Sequence, residues 1–288
     1  MNYLSHFGLR EPPFGITPDT NFFFACRASQ EALNTLLVAL HNGEGFLKIT
    51  GEVGAGKTLL CRKFLSTLND RWVSAYIPNP SFEARSLLIA LAEELEIRAD
   101  GVVDQHRLLR LVTRQLLDLA RAQKRVVLCL DESQAMPLDT LEALRLLTNL
   151  ETEKRKLLQV VLFGQPELDQ KLQSQAIRQL RQRIIFEQQL RGLAKDEVGA
   201  YVTHRLVVAG YAAGQLLGRT ALAALHRASR GVPRLVNILM HKAMLLAYGE
   251  GSSTVELRHM RASIGDTPSA TLPRRWWWPV ARISRAAH

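Results

Sequence analysis

One stretch of eight residues restricts the fold of this chain more than any other feature of its sequence. The stretch follows the pattern G-x-x-x-x-G-K-[ST] in full, as Gly51, Glu52, Val53, Gly54, Ala55, Gly56, Lys57 and Thr58. An apolar run, Phe46–Thr50, precedes it, and a helical pattern, Leu59–Leu68, follows it. A glycine-rich loop between a strand and a helix is the context that a phosphate-binding P-loop requires.

The chemistry of such a loop depends on these residue types. Glycines let backbone N–H groups turn inward without a Cβ between them and a phosphate. The N-terminus of the next helix, near Leu59, adds partial positive charge. We expect Lys57 to reach the β- and γ-phosphates of ATP and the Thr58 hydroxyl to ligate Mg²⁺. The predicted cofactor site therefore extends from Gly51 to Leu59.

A second candidate site is an apolar strand, Arg125–Leu130, that ends in Asp131 and Glu132. Asp131 is placed to hold Mg²⁺, directly or through water, and Glu132 to polarise the attacking water as general base. Carboxylates are common at turns and caps, so the pair by itself is a modest signal. Its position downstream of a P-loop predicts hydrolysis as well as binding.

The arrangement of apolar runs predicts an α/β fold from about residue 45 to 186. Five short runs predict strands at 46–50, 73–77, 126–130, 158–163 and 184–186. Helical spacing of apolar residues predicts helices at 86–95, 106–122 and 138–150. Alternation of strands and helices predicts a parallel sheet covered by helices on both faces, which is the core of a P-loop NTPase.

The strand pattern ends after about Gln189. Helices are predicted at 196–208, 220–229, 233–248 and near 255–264, with Pro233 at a first turn. We therefore predict an N-terminal segment with the first helix of the ATPase domain (1–44), an α/β core (45–190), a small all-helical lid (191–265), and a linker with a basic, Trp-rich tail (266–288).

Composition limits the partners and the compartment. The chain carries 37 Lys and Arg against 27 Asp and Glu, a net charge of +10 with a pI near 9.9. This charge favours nucleic acid, an anionic membrane or phosphates as partners, although a merely basic surface explains it equally well. Three distant cysteines form no disulfide framework or metal spacing. With no signal peptide or ~20-residue apolar span, we expect a cytoplasmic protein.

Weaker candidates surround these motifs. Gln165 follows a predicted strand and could position the lytic water, or it could belong only to the turn before Pro166. Arg234 begins a helix in the second domain and could fold over the phosphates, or it could be a surface arginine.

Three arginines cluster just before the last predicted strand, at Arg178, Arg181 and Arg183. One of them could enter the site of a neighbouring subunit as an arginine finger. The alternative is a solvated basic helix face.

The sequence resembles the AAA+ ATPases, and more narrowly the ExeA/GspA-type secretion ATPases and the MshM-type proteins of MSHA pilus biogenesis. The motifs that carry the resemblance are Phe7–Phe14, Thr17–Asp19, Glu31–Leu33, Gly51–Thr58, Leu130–Glu132, Leu162–Leu168, Arg181–Ile184 and Gly231–Arg234. The resemblance covers about residues 1–264, and its N-terminal motif is the most specific.

The resemblance implies roles for individual residues. Asp131 would bind magnesium, and Glu132 would be the catalytic carboxylate. Gln165 would be the first sensor, Arg234 the second sensor, and Arg181 or Arg183 the finger. The segment Phe7–Phe14 would pack near the adenine. A homo-oligomer is expected, because each site in this class borrows an arginine from a neighbour.

Two departures from the family matter. Ser133 stands where relatives often have alanine, which is a mild change. ExeA-type proteins continue through a membrane span into a periplasmic peptidoglycan-binding region, whereas this chain stops at His288. We therefore expect the shorter, MshM-like type.

The tail contains Arg274, Arg275, Trp276, Trp277 and Trp278 in succession. Indoles beside arginines suit the headgroup region of an anionic membrane, where so short a segment would anchor weakly and reversibly. The alternatives are a peptide that docks on a partner protein and a remnant without a role.

Three functions remain open. The first is an oligomeric ATPase that assembles an MSHA-type pilus or a type II secretion apparatus with proteins of the inner membrane, acting in the cytoplasm or peripherally on that membrane. The second is a DNA-dependent AAA+ ATPase of the transposition-regulator type, with DNA as a less favoured partner. The third is an ATP-gated scaffold without turnover.

Overall fold

The computed structural model describes residues 3–98, 104–151 and 156–270. The described α-helices, in chain order, are α1 Tyr3–His6, α2 Arg27–His41, α3 Lys57–Thr67, α4 Ala84–Glu94, α5 Gln105–Arg121, α6 Leu138–Leu147, α7 Glu167–Leu172, α8 Arg178–Arg181, α9 Lys195–Val208, α10 Arg219–Ser229, α11 Pro233–Gly249 and α12 Leu257–Gly265. The strands are β1 Phe46–Gly51, β2 Trp72–Ile77, β3 Arg125–Leu130, β4 Leu158–Gly164 and β5 Ile184–Leu190. The chain divides into two compact units, one of Thr17–Gly192 and one of Met1–Ile16 with Leu193–His288.

The first unit is built on a five-stranded sheet in the order β2-β3-β4-β1-β5, with every pairing parallel. The strand before the P-loop, β1, therefore lies between β4 and β5. The edge strand β5 continues to Leu190, four residues beyond the predicted end at Phe186. Its second half is Glu187-Gln188-Gln189. The side chains of an edge strand are partly exposed, so these polar residues do not continue the apolar run from which the strand was predicted.

Helices cover both faces of this sheet, as predicted. Leu47 and Ile49 of β1 belong to an apolar cluster with residues of α2 and α3. Phe46 points to the opposite face and joins a second cluster with residues of α4, α5 and α6. Successive side chains of a strand alternate between faces, so one strand contributes to both layers. The predicted P-loop NTPase architecture is confirmed.

The second unit contains α1 and α9 to α12. Arg10 N donates to Ala209 O at 2.8 Å, and Asn237 Nδ2 donates to Gly15 O at 3.0 Å. Phe7 and Phe14 are buried. Residues 3–16 thus group with the helices after the sheet, whereas the prediction placed them in one segment, 1–44, with the first helix of the ATPase domain.

The chain remains packed beyond the predicted lid boundary at residue 265. Lys242 Nζ on α11 donates to Asp266 Oδ2 at 2.8 Å, and Thr267 Oγ1 donates to Ser263 O at 2.8 Å. Thr267 is buried. Asp266 and Thr267, the first two residues of the predicted linker, thus pack against α11 and α12. The Arg- and Trp-rich tail lies outside the described residues.

In the part of the chain that the structure describes, no helix combines the length and the apolar character needed to cross a membrane.

Candidate active site

The P-loop connects the end of β1 to the first turn of α3. Gly54 and Gly56 have φ values of 81° and 98°, in the left-handed region that residues with a Cβ rarely adopt. Gly56 is the N-cap residue, so α3 begins at Lys57. The strand–loop–helix context expected from the motif is present, and the free N–H groups of the first turn of α3 lie beside the loop.

Gly51 is required for a reason other than phosphate access. A Cβ on this residue would lie 2.9 Å from Leu190 O and 3.1 Å from Leu190 Cβ on β5. The close approach of the edge strand, rather than space for a ligand, therefore excludes a side chain at this position.

Lys57 is folded back onto its own loop. Its Nζ donates to Gly51 O at 2.8 Å and to Glu52 O at 3.1 Å, and the residue is buried. Burial lowers the pKa of Lys57, and the carboxylates of Glu132 and Asp131 oppose this shift. The ammonium is thus held over the loop by two carbonyl groups that phosphate oxygens can replace.

Thr58 and Asp131 meet at the carboxyl edge of the sheet. Thr58 Oγ1 donates to Asp131 Oδ2 at 2.6 Å, and Asp131 N continues the strand pairing to Ile77 O at 3.0 Å. Asp131 is 2% exposed, and burial raises its pKa. Within the described ranges this carboxylate has no ion-pair partner. The Thr58 hydroxyl and the buried Asp131 carboxylate are adjoining oxygen ligands. Such a pair, with no described ion pair to the carboxylate, fits the requirements of Mg²⁺.

Glu132 is held by two glutamines. Its Oε2 accepts from Gln165 Nε2 at 3.0 Å and from Gln134 Nε2. Gln134 Oε1 in turn accepts from Gln165 N at 3.0 Å, so Gln134 bridges the loops after β3 and β4. Glu132 also has a left-handed backbone, with φ 52° and ψ 37°. Such strain in a non-glycine residue is frequent at functional sites.

The electrostatics of Glu132 favour its charged form. Burial would raise its pKa, but the hydrogen bonds from Gln165 and Gln134 and the charge of Lys57 together hold the pKa of Glu132 below its usual value. Sequence reasoning identified Gln165 but missed Gln134. The available signal was its position two residues after Glu132, where a long amide side chain can turn back toward the carboxylate.

The arginines proposed as a finger lie far from the loop of their own chain. Arg178 and Arg181 are exposed, and the half-buried Arg183 makes a long contact of 3.5 Å from Nη1 to Thr148 Oγ1. Arg183 immediately precedes β5, whose first residue pairs with Phe46 at the amino end of β1. The P-loop follows the opposite end of β1, which at ~3.3 Å per residue is roughly 16 Å away. The structure does not bring these arginines to their own P-loop.

Arg234 is the second residue of α11 and is exposed. It belongs to the unit that contains the C-terminal helices, whereas the P-loop belongs to the other unit. Its role as a phosphate sensor stays a prediction.

The residues of this site lie in a part of the chain that is similar to known proteins. Residues 40–172 match the AAA domain family, a range that contains the P-loop, Asp131, Glu132, Gln134 and Gln165. The chain is 43% identical over 253 residues to the general secretion pathway protein A of Aeromonas hydrophila. This similarity covers 88% of the present chain and 46% of the relative, so the chain spans about half the length of that protein.

Several solved structures share the fold at low sequence identity to this chain. The ORC2 protein of Aeropyrum pernix, solved in ADPNP–ADP complexes, has a TM-score of 0.64 at 14% identity, over 89% of this chain and 73% of that one. Cdc6p of Pyrobaculum aerophilum has a TM-score of 0.64 at 18% identity, over 86% and 70%. The RuvB Holliday junction branch migration motor of Thermotoga maritima has a TM-score of 0.54 at 14% identity, over 82% and 67%. Residues 40–172 therefore match the AAA domain family, on the fold of the P-loop NTPases, in a chain that is similar to a general secretion pathway protein A.

Proposed function

We propose that this chain binds ATP and Mg²⁺ and hydrolyses the nucleotide. The observation that carries the proposal is the convergence of functional groups at one edge of the sheet. Three neighbouring strands, β3, β4 and β1, are followed by Asp131 and Glu132, by Gln165, and by the P-loop with Thr58. Hydrogen bonds join Thr58 to Asp131 and Gln165 to Glu132. Ligands of open α/β sheets bind at the carboxyl ends of the strands.

Each residue has a defined part in the proposed reaction. Lys57 exchanges the carbonyl groups of Gly51 and Glu52 for phosphate oxygens of ATP. Thr58 and Asp131 would hold Mg²⁺, whose charge offsets that of the β- and γ-phosphates. Glu132 accepts a proton from the water that attacks the γ-phosphorus, the bond from that phosphorus to the bridging oxygen breaks, and ADP leaves.

The glutamine pair has a testable effect on the pH dependence of this reaction. Gln134→Ala removes a hydrogen bond that favours charged Glu132, so the pKa of Glu132 is expected to rise. Because the base acts only when deprotonated, the acidic limb of the kcat profile should move to higher pH when this hydrogen bond to a charged group is lost. ATP hydrolysis measured across pH tests this prediction.

The control for that experiment is Gln170→Ala, an exposed glutamine on α7. It should leave the profile unchanged. A Gln134→Ala profile that overlays the wild type would show that Gln134 does not tune the base.

We further propose that the active form is a homo-oligomer in which Arg181 or Arg183 completes the site of a neighbour. These arginines lie near the amino ends of the strands, away from their own P-loop, and this position supports the arrangement. The double variant Arg181→Ala/Arg183→Ala and the variant Glu132→Gln should each be nearly inactive. Mixing the two variants should restore ATP hydrolysis. A subunit with the double substitution keeps Glu132, and it receives the intact arginine of a neighbouring Glu132→Gln subunit.

Two results would contradict this proposal. If the mixture is no more active than the sum of its parts, the arginines do not act between subunits. If Arg121→Ala, an exposed arginine on α5, lowers activity as much as the double variant, the effect reflects general charge.

The biological setting that we propose is the cytoplasmic face of the inner membrane, in assembly of an MSHA-type pilus or a type II secretion apparatus. Similarity to a general secretion pathway protein A supports a secretion role, and the N-terminal motif of MshM-type proteins supports a pilus role. The segment of Arg274, Arg275, Trp276, Trp277 and Trp278 is the proposed peripheral membrane contact.

A DNA-dependent ATPase is the second candidate. The exposed residues Arg107, Arg110 and Arg114 lie on one face of α5 and form no ion pair within the described part of the chain. Such a row suits a phosphate backbone. Stimulation of ATP hydrolysis by duplex DNA that fades with added salt would favour this function over the first.

A further inference from the structure

A cavity of about 630 Å³ lies at the amino edge of β2 and β3. Three connections surround it: the end of α2 at His41, the α3–β2 turn at Asn69–Arg71, and the α5–β3 turn at Ala122–Lys124. Strand β3 begins in the cavity wall and ends beside Asp131, after six residues. An extended segment of this length spans roughly 20 Å, so the cavity is separate from the proposed ATP site.

Two cations of the cavity wall are held in place by carbonyl groups instead of carboxylates. Arg125 Nη1 donates to Leu40 O at 3.3 Å and to His41 O at 3.0 Å. Its guanidinium lies over the Trp72 ring, 5.6 Å from the centroid. Lys124 Nζ donates to Asp70 O. The carbonyl groups orient the two side chains but do not neutralise their positive charges.

The described part of the chain supplies no ion-pair partner for the cations of this wall. Among residues 3–98, 104–151 and 156–270, no carboxylate lies within ion-pair distance of Arg71, Lys124 or Arg125. Asp70 is the one carboxylate in the lining. With His41 neutral, the lining has a net charge of +2, from three cations and one anion. Cations that are oriented in advance and lack a counter-ion form a binding site for an anion.

The size and charge of the cavity indicate the class of anion. A phosphate monoester carries −1.5 to −2 charges on a single compact group, whereas a carboxylate carries one. Guanidinium and ammonium groups both bind phosphate oxygens through charge-assisted hydrogen bonds. The volume falls within the range of small-molecule sites, about 300–1,000 Å³, and the half-buried Trp72 offers an aromatic surface beside the cations.

We propose that this cavity binds a small organic phosphate, with the phosphate group on Arg71, Lys124 and Arg125 and the rest of the molecule against Trp72. Binding is independent of the nucleotide at the P-loop, because the two sites lie at opposite edges of the sheet.

The tryptophan content provides a direct test. The chain has four tryptophans, Trp72, Trp276, Trp277 and Trp278. Replacing the three tail residues by phenylalanine in the full-length chain leaves Trp72 as the only indole. Its fluorescence is then titrated with phenyl phosphate and with benzoate, in the presence of saturating ADP and Mg²⁺. The two probes share the ring and differ in the anionic group.

The expected result is a saturable change with phenyl phosphate and binding of benzoate that is weaker by about tenfold or more. In the same background, Lys124→Gln and Arg71→Gln should each weaken phenyl phosphate binding by about tenfold. Arg121→Gln, outside the cavity lining, should have no effect. ATP hydrolysis should stay at the wild-type level in all three variants, which separates this site from the ATPase.

Several outcomes would overturn the proposal. One is the absence of a saturable change at millimolar phenyl phosphate, and another is equal binding of benzoate. A third is unchanged affinity in both Lys124→Gln and Arg71→Gln. Failure of the protein to hydrolyse ATP would leave the test intact, since the titration reports only on Trp72.

Discussion

Glu132→Gln is expected to bind ATP as the wild type does and to hydrolyse it about 100 to 10,000 times more slowly, the range for loss of a general base. The amide has nearly the shape of the carboxylate but cannot accept the proton of the attacking water. Lys57, Thr58 and Asp131 remain, so nucleotide affinity should be kept. Single-turnover phosphate release together with equilibrium binding of ATP separates the two effects.

The matched control for this substitution is Glu93→Gln, an exposed residue on α4. It removes the same charge away from the site and should not alter the rate. If Glu132→Gln and the wild type hydrolyse ATP equally, Glu132 has no role in the chemistry. If neither protein turns ATP over, a scaffold gated by ATP binding becomes the better account of the chain.

Lys57→Met is expected to weaken ATP binding by about 100-fold, because it removes charge-assisted hydrogen bonds to the phosphates. Methionine fills a similar volume without a buried charge, so the nucleotide-free fold should survive the loss of the bonds to Gly51 O and Glu52 O. Ligand that binds only the folded state raises Tm. The rise in Tm on adding ATP and Mg²⁺ should therefore be seen in the wild type and disappear in the variant.

Lys63→Met on the same helix is the control, since Lys63 lies over the Phe23 ring and not in the P-loop. Its ATP-dependent rise in Tm should match that of the wild type. An equal rise in Lys57→Met would mean that the nucleotide binds without this loop.

Local patterns were sufficient to predict the elements that form the site. The P-loop glycines specify their own left-handed turn, and the apolar runs on either side identify β1 and β3 as buried strands. Asp131 could be proposed as a magnesium ligand because the end of a buried parallel strand is also the edge where ligands bind. Each of these features depends on residues a few positions apart, so its physical cause is local in the sequence.

The sequence by itself therefore determined the α/β class, the P-loop and the carboxylates after β3. The tertiary structure decided which strands are neighbours, and with that the bridge from Gln134 to Glu132 and Gln165. It also placed the first 16 residues with the C-terminal helices and put Arg183 at the edge opposite its own P-loop. Lys124 and Arg125 meet Arg71 and Trp72 only because β2 and β3 pair. Such contacts join residues far apart in the chain, and no local periodicity encodes them.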